Sequence, residues 1–208
     1  RKSFSGSVIY FIGMNSTGNT IQTLEWYEHI RLNPEMYIGR IGDGSDVEDG
    51  IYTLLKGLID SSADEFEMGY AKRLEIEISG LAVSLREYGR GIPLESVVNS
   101  TSGLSVGIGA RKDVVTTNSY KVANALSEEF SVDSYRSVAR SWALYSKGCL
   151  TDQRIEEDKN LEPDGIRVKF ALDKELFPNS YYRLEIVKDI LEQYSAKHEG
   201  FPISLNGY

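Results

Sequence analysis

The sequence predicts an α+β domain, a mainly antiparallel sheet with helices on one face. Three observations carry that expectation. The stretch 47–68 places Ile51, Leu54, Leu55, Leu58, Ile59 and Phe66 at steps of three and four residues, the spacing of a helix with one buried face. Residues 73–78 alternate apolar and polar, and Leu81, Val83 and Leu85 continue the alternation after Ser79-Gly80, which reads as a β-hairpin. Helical patterns cluster early and late in the chain, with strand patterns between them.

Taken in order, Arg1 to about residue 22 reads as an N-terminal arm. Its apolar patch Val8-Ile9-Tyr10-Phe11-Ile12 is too short, and too polar in front, for a signal peptide. Thr23 to Leu32 predicts a short helix through Leu24, Tyr27 and Ile30, stopped by Asn33-Pro34. Gly42-Asp43-Gly44-Ser45 is a turn, Ser45 or Asp46 a cap for the long helix, and Gly69 its end. On that helix Gly57, Asp60 or Ser61, and Asp64 fall on neighbouring turns and share a face. Gly57 costs about 1 kcal/mol in helix propensity against alanine, so close packing or a lost side chain must account for it. After the hairpin comes Tyr88-Gly89-Arg90-Gly91-Ile92-Pro93, where Gly89 and Gly91 supply positive φ. Residues 94–121 read as loop with one short helix, and Val122 to Leu126 as a helix end. Phe130 to Tyr135, Val138 to Tyr145 and Ile166 to Leu172 read as strands. Gln153 to Pro163 reads as a charged, solvated segment and Tyr182 to Tyr194 as a closing helix.

Composition excludes several functions. The 208 residues are 41% hydrophobic, enough for a core, and no run of about 18 apolar residues suggests a membrane span. A formal net charge of −8 argues against a main DNA-binding face, and the longest basic run there is Arg111-Lys112. The single cysteine, Cys149, excludes an internal disulfide and points to a reducing, cytoplasmic setting. Two histidines, His29 and His198, read as surface residues; with one cysteine they make no protein-only metal cage. A metal here would rest on oxygen ligands and phosphates, as Mg²⁺ prefers.

Five segments, in order, resemble the N-terminal ATPase domain of type IIA topoisomerase B subunits, within the GHKL ATPase class. They are Glu28-His29-Ile30-Arg31-Leu32-Asn33-Pro34-Glu35-Met36-Tyr37-Ile38-Gly39; the helix with Asp60-Ser61-Ser62-Ala63-Asp64-Glu65; Arg86-Glu87-Tyr88-Gly89-Arg90-Gly91-Ile92-Pro93; Asn118 to Ser127; and Asp164-Gly165-Ile166-Arg167-Val168-Lys169-Phe170. The resemblance covers most of the chain and implies a GHKL domain over 23–208, a two-layer sandwich of roughly eight strands. It implies ATP and Mg²⁺ as cofactors, nucleotide-driven homodimerisation, and a topoisomerase A subunit and DNA as partners of the whole protein. No membrane role is implied.

Residue by residue, the resemblance implies nucleotide contacts from Asp60, Ser61, Asp64, Glu87, Gly89, Arg90, Gly91, Ile92, Pro93 and Ile166, with Arg90 pairing Glu65. The family pattern E-x-x-D-N-x-x-D-E gives a glutamate that activates water and an asparagine that holds Mg²⁺. Here Gly57 and Ser61 stand in those places. Glu87 replaces the aspartate that accepts the adenine amino group, and Ile166 the threonine of D-G-T. The family's G-L-x-G-V-G lid has no counterpart between Lys121 and Val122, which implies a lid missing there. A second, transducer domain would begin near Tyr208. The expectation is an ATPase-like domain with hydrolysis impaired or lost. The alternatives are an active ATPase with a base supplied elsewhere, and a scaffold or dimerisation module.

Overall fold

The computed structural model describes residues 8–11, 22–103, 117–157 and 162–207. In chain order the elements are β1 (Val8–Phe11), β2 (Gln22–Glu25), α1 (Trp26–Leu32), α2 (Glu35–Ile38), α3 (Gly50–Glu67), β3 (Arg73–Ser79) and β4 (Ala82–Tyr88). They continue with α4 (Val97–Thr101), α5 (Thr117–Leu126), β5 (Ser127–Arg136), β6 (Ala139–Ser146), β7 (Cys149–Glu156), β8 (Gly165–Leu172), α6 (Leu184–Lys197) and β9 (Ile203–Leu205).

Seven strands form one sheet in the order β7-β6-β5-β8-β4-β3-β9, and β1 pairs with β2 in a separate ribbon. All pairings in the large sheet are antiparallel except β3 with β9, which makes it mixed. The strands place alternate residues on opposite faces. Ile76, Val83, Leu85, Phe130, Val132, Val168 and Phe170 point to one side and join the α3 residues Leu54, Leu55, Leu58 and Ile59 in a single buried core. The opposite face carries Glu75, Glu77, Arg86, Arg167, Lys169 and Trp142 in cross-strand rows. The α+β sandwich expected from the sequence is therefore the architecture observed.

Several element expectations change. The early helix starts at Trp26, because Gln22–Glu25 pairs with β1 as a strand instead. The long helix starts at Gly50, and Asp49, buried at 1% exposure, organises its entrance. Its carboxylate accepts from the Gly44 and Asp46 amides and from Arg40, work that no helical period reveals. The charged segment begins as β7, an edge strand exposed along nearly its whole length. Its polarity reflects an uncovered edge rather than a loop. Strand β9 lies in a stretch too short to show a period. His29 and His198 are buried, not superficial: His29 Nδ1 lies 2.7 Å from the Tyr37 hydroxyl, and His198 Nδ1 lies 2.8 Å from Glu67. Most of the N-terminal arm lies outside the described residues. No helix among those described is long and apolar enough to cross a membrane.

Candidate functional site

The inner face of the sheet meets the second half of α3 along one cross-strand row, Glu87–Ile166–Ser134. Glu87 lies near the end of β4 and is 3% exposed. The Ser62 hydroxyl hydrogen-bonds its carboxyl group. Burial pushes the Glu87 pKa up to about 7; nearby Glu65 adds to the shift, while Ser62, Arg86 and Arg90 oppose it. Ile166, next to it in the row, is buried at 8% exposure and offers no hydroxyl. Tyr120 on α5 completes this region. Burial, with Glu87 and Glu65 nearby, raises its hydroxyl well above the usual tyrosine range.

The turn after β4 closes over the row. Gly91 has φ 68°, and a Cβ there would lie 2.9 Å from Ser134 Oγ and from the Tyr135 carbonyl oxygen. Glycine alone fits that conformation and that approach. Gly89, expected to share the left-handed conformation, does not; its role is space, since a Cβ would lie 2.8 Å from Glu87 Oε1. Ser134 Oγ donates to the Ile92 carbonyl at 2.7 Å, tying the turn to β5. Pro93 follows in extended backbone and opens the short 3₁₀ turn Leu94–Ser96. Arg90 donates through Nε and Nη2 to the two Glu65 oxygens at 2.8 Å each, and stacks over Tyr70 at 3.9 Å. The expected Arg90–Glu65 pairing is thus formed and holds the turn against α3.

Along α3 the predicted residues separate. Gly57 faces α5: a Cβ on it would lie 2.6 Å from Ser119 Oγ. Its absent side chain permits a close helix crossing. Ser61 is 3% exposed, and its hydroxyl donates to the Gly57 carbonyl at 3.1 Å. Asp60 and Asp64 are exposed. Asp60 accepts a 2.6 Å hydrogen bond from the Tyr194 hydroxyl of α6. The structure therefore gathers Glu87, Gly89, Gly91, Ile92 and Ile166 near one another, leaves Ser61 bonded to its own helix at Gly57, and turns Asp60 and Asp64 outward. Among the described residues no three His, Cys, Asp or Glu side chains converge as a metal cage.

Lys121 and Val122 are consecutive residues inside α5, so the junction where a lid was expected to be missing is unbroken helix. Gly107 and Gly109, on the approach to that helix, lie outside the described residues. Sequence reasoning missed Ser62, Ser119, Tyr120 and Ser134. Ser62 lies within a motif already singled out, and helical spacing from Leu58 and Ile59 puts it on the inner face; Ser119 and Tyr120 lie within the segment Asn118 to Ser127, and nothing local marks Ser134.

A mixed seven-stranded sheet with helices on one face, and a buried carboxylate beside a glycine turn strapped to the long helix, define the ATPase-domain fold of gyrase B. The solved 43K ATPase domain of Thermus thermophilus gyrase B, in complex with an aminocoumarin, superposes with a TM-score of 0.71 at 24% identity, covering 88% of this chain and 49% of that one. The chain is homologous over most of its length to the B subunits of type II topoisomerases. It is 41% identical over 198 residues to the B subunit of DNA topoisomerase 4 from Borreliella burgdorferi, covering 92% of this chain and 33% of that protein. The B subunit of a type 2 topoisomerase from Aquifex aeolicus is 28% identical over 187 residues, covering 83% of this chain and 23% of that protein. The chain thus spans a third or less of the length of these two relatives. No family model matches it.

Proposed function

We propose that this chain is the ATP-binding domain of the B subunit of a type II topoisomerase in which hydrolysis is impaired or lost. The observation that carries the reading is at Gly57. A nucleotide hydrolase of this class needs a carboxylate there to take the proton of the attacking water. Glycine has none, and Ser119 of α5 occupies the adjoining space. The acids on the same helix do not substitute. Asp60 and Asp64 are exposed, and Asp60 is engaged by Tyr194.

The two ends of the site differ in their fit to the nucleotide. At the base end, Glu87 in its ionised form is an acceptor for an exocyclic amino group, with Ser62, Gly89 and Ile166 around it. At the phosphate end the residues do not fit magnesium. The Ser61 hydroxyl donates to a helix carbonyl, and among the described residues no acidic cluster gathers beside it. In the longer protein, nucleotide binding would pair two copies and couple to a topoisomerase A subunit and DNA.

The test is calorimetric titration of the 208-residue chain with a non-hydrolysable ATP analogue, beside a phosphate-release assay. Saturable analogue binding without phosphate release above the uncatalysed rate is expected. Measurable turnover by this chain would sink the claim of lost hydrolysis; failure to bind would remove the nucleotide altogether.

A further inference from the structure

The outer face of the sheet, away from the proposed nucleotide site, carries two adjoining depressions. The larger, about 790 Å³, crosses the sheet over Ala82, Ala171, Ser131 and Leu144. Its floor is low because the row Ser79–Ala82–Ala171 and the neighbours Ser84 and Ser131 present small side chains. Leu144 is 41% exposed at its far side. The smaller depression, about 320 Å³, is lined by Arg86, Arg167 and Lys169 with Glu75 and Glu77. The two share Glu77, Ser84 and Lys169 and so are continuous.

The lining of the polar end sets three cations against two carboxylates, a margin of one positive charge, and Glu162 pairs with Arg167 from outside that lining. Arg86 and Arg167 stand directly opposite each other in neighbouring strands, an arrangement that disfavours the sheet unless something compensates it. Arg86 is 4% exposed and donates to the Glu87, Ile166 and Pro163 carbonyls, yet its Nε is buried without a partner. Arg167 donates to the Tyr135 hydroxyl at 3.1 Å and reaches Glu162 only at 3.4 Å. Among the described residues no ion pair includes Lys169. Of the two carboxylates, Glu75 is taken by the Tyr88 hydroxyl and Arg73, and Glu77 stands across Ser84 from Lys169 without a bridge. Glu129 borders the apolar end and bars a second anionic group there.

We propose that this face binds an amphiphilic organic anion. A flat apolar body lies over Ala82, Ala171 and Leu144, and a sulfonate, phosphate or carboxylate meets Arg167 and Lys169. Arg86 acts as a fixed positive charge behind them, since its own donors are mostly committed. Neither half suffices: the trough has no charge to orient a neutral ligand, and the cations have no enclosing donors to hold a small inorganic ion.

The probe is 8-anilinonaphthalene-1-sulfonate, titrated into the folded 208-residue chain and followed by fluorescence. A single saturable site is expected, with binding weakened about tenfold or more in Arg167→Gln/Lys169→Gln, the loss of roughly one charge-assisted contact. Ser84→Asp, which puts a carboxylate where the two depressions meet, weakens it in the same way without removing either cation. The uncharged N-phenyl-1-naphthylamine shows no saturable site on wild type or on either variant, and MgATP does not displace the sulfonate. The proposal is overturned if wild type shows no fluorescence gain, if both variants bind the sulfonate as wild type does, or if MgATP displaces it. Circular dichroism of each variant separates loss of the site from loss of the fold.

Discussion

Glu87 and Gly57 carry the functional reading at the scale of single residues, and each makes a measurable prediction. The Glu87 carboxyl titrates near 7 in the folded protein against 4.5 for an unburied glutamate. The folded state therefore holds a proton that the unfolded state releases, so stability falls as pH rises from about 4.5 through about 7. The span is on the order of 3 kcal/mol. Denaturant titrations between pH 5 and 8 should show wild type losing stability relative to Glu87→Gln; parallel profiles would mean that Glu87 ionises freely. The same ionisation governs recognition. Nucleotide analogue binding should strengthen from pH 6 to pH 8, as the carboxylate becomes an acceptor for the base amino group. At Gly57, helix propensity favours alanine by about 1 kcal/mol, while Ser119 Oγ at 2.6 Å from the added Cβ opposes it. Gly57→Ala should stabilise a Ser119→Ala background by about 1 kcal/mol and wild type by less. Equal gains in chemical denaturation would show that α5 does not confine the position.

Among the elements, the entrance of α3 is organised by one buried carboxylate. Asp49 is buried and accepts from two amides and Arg40. Asp49→Ala leaves those donors without their acceptor and should cost about 3 kcal/mol in urea unfolding. The Arg90–Glu65 strap behaves differently. Arg90 is half exposed, so Arg90→Ala should cost under about 1 kcal/mol of stability. Its expected effect is on nucleotide affinity, through a looser Gly89–Pro93 turn; an unchanged affinity would assign the strap to architecture alone. The α3 helix and the β3–β4 hairpin were legible because each has one buried face and therefore a strong period. β7 was not, because an edge strand exposed along its length has no apolar alternation to read. The start of α1 was misplaced because Leu24 fits either period, and only pairing with β1 makes its segment a strand.

The whole molecule joins an acidic surface to an inner face that meets α3 and an outer face that is largely open. With a net charge of −8, the isolated chain should not retard duplex DNA at physiological salt. Retardation there would mean that a basic surface has formed that the sequence does not suggest. The amino-acid order by itself determined the α+β class, the long helix, the glycine turn and the absence of a carboxylate at position 57. Those follow from local spacing and residue identity. Only the tertiary structure decided that Ser119 stands against Gly57, that Ser62 meets Glu87, and that Asp60 turns to Tyr194. It alone also set Arg86 against Arg167 on the outer face. Each of these contacts joins residues far apart in the chain or depends on strand register, and register is set by which faces the whole core buries.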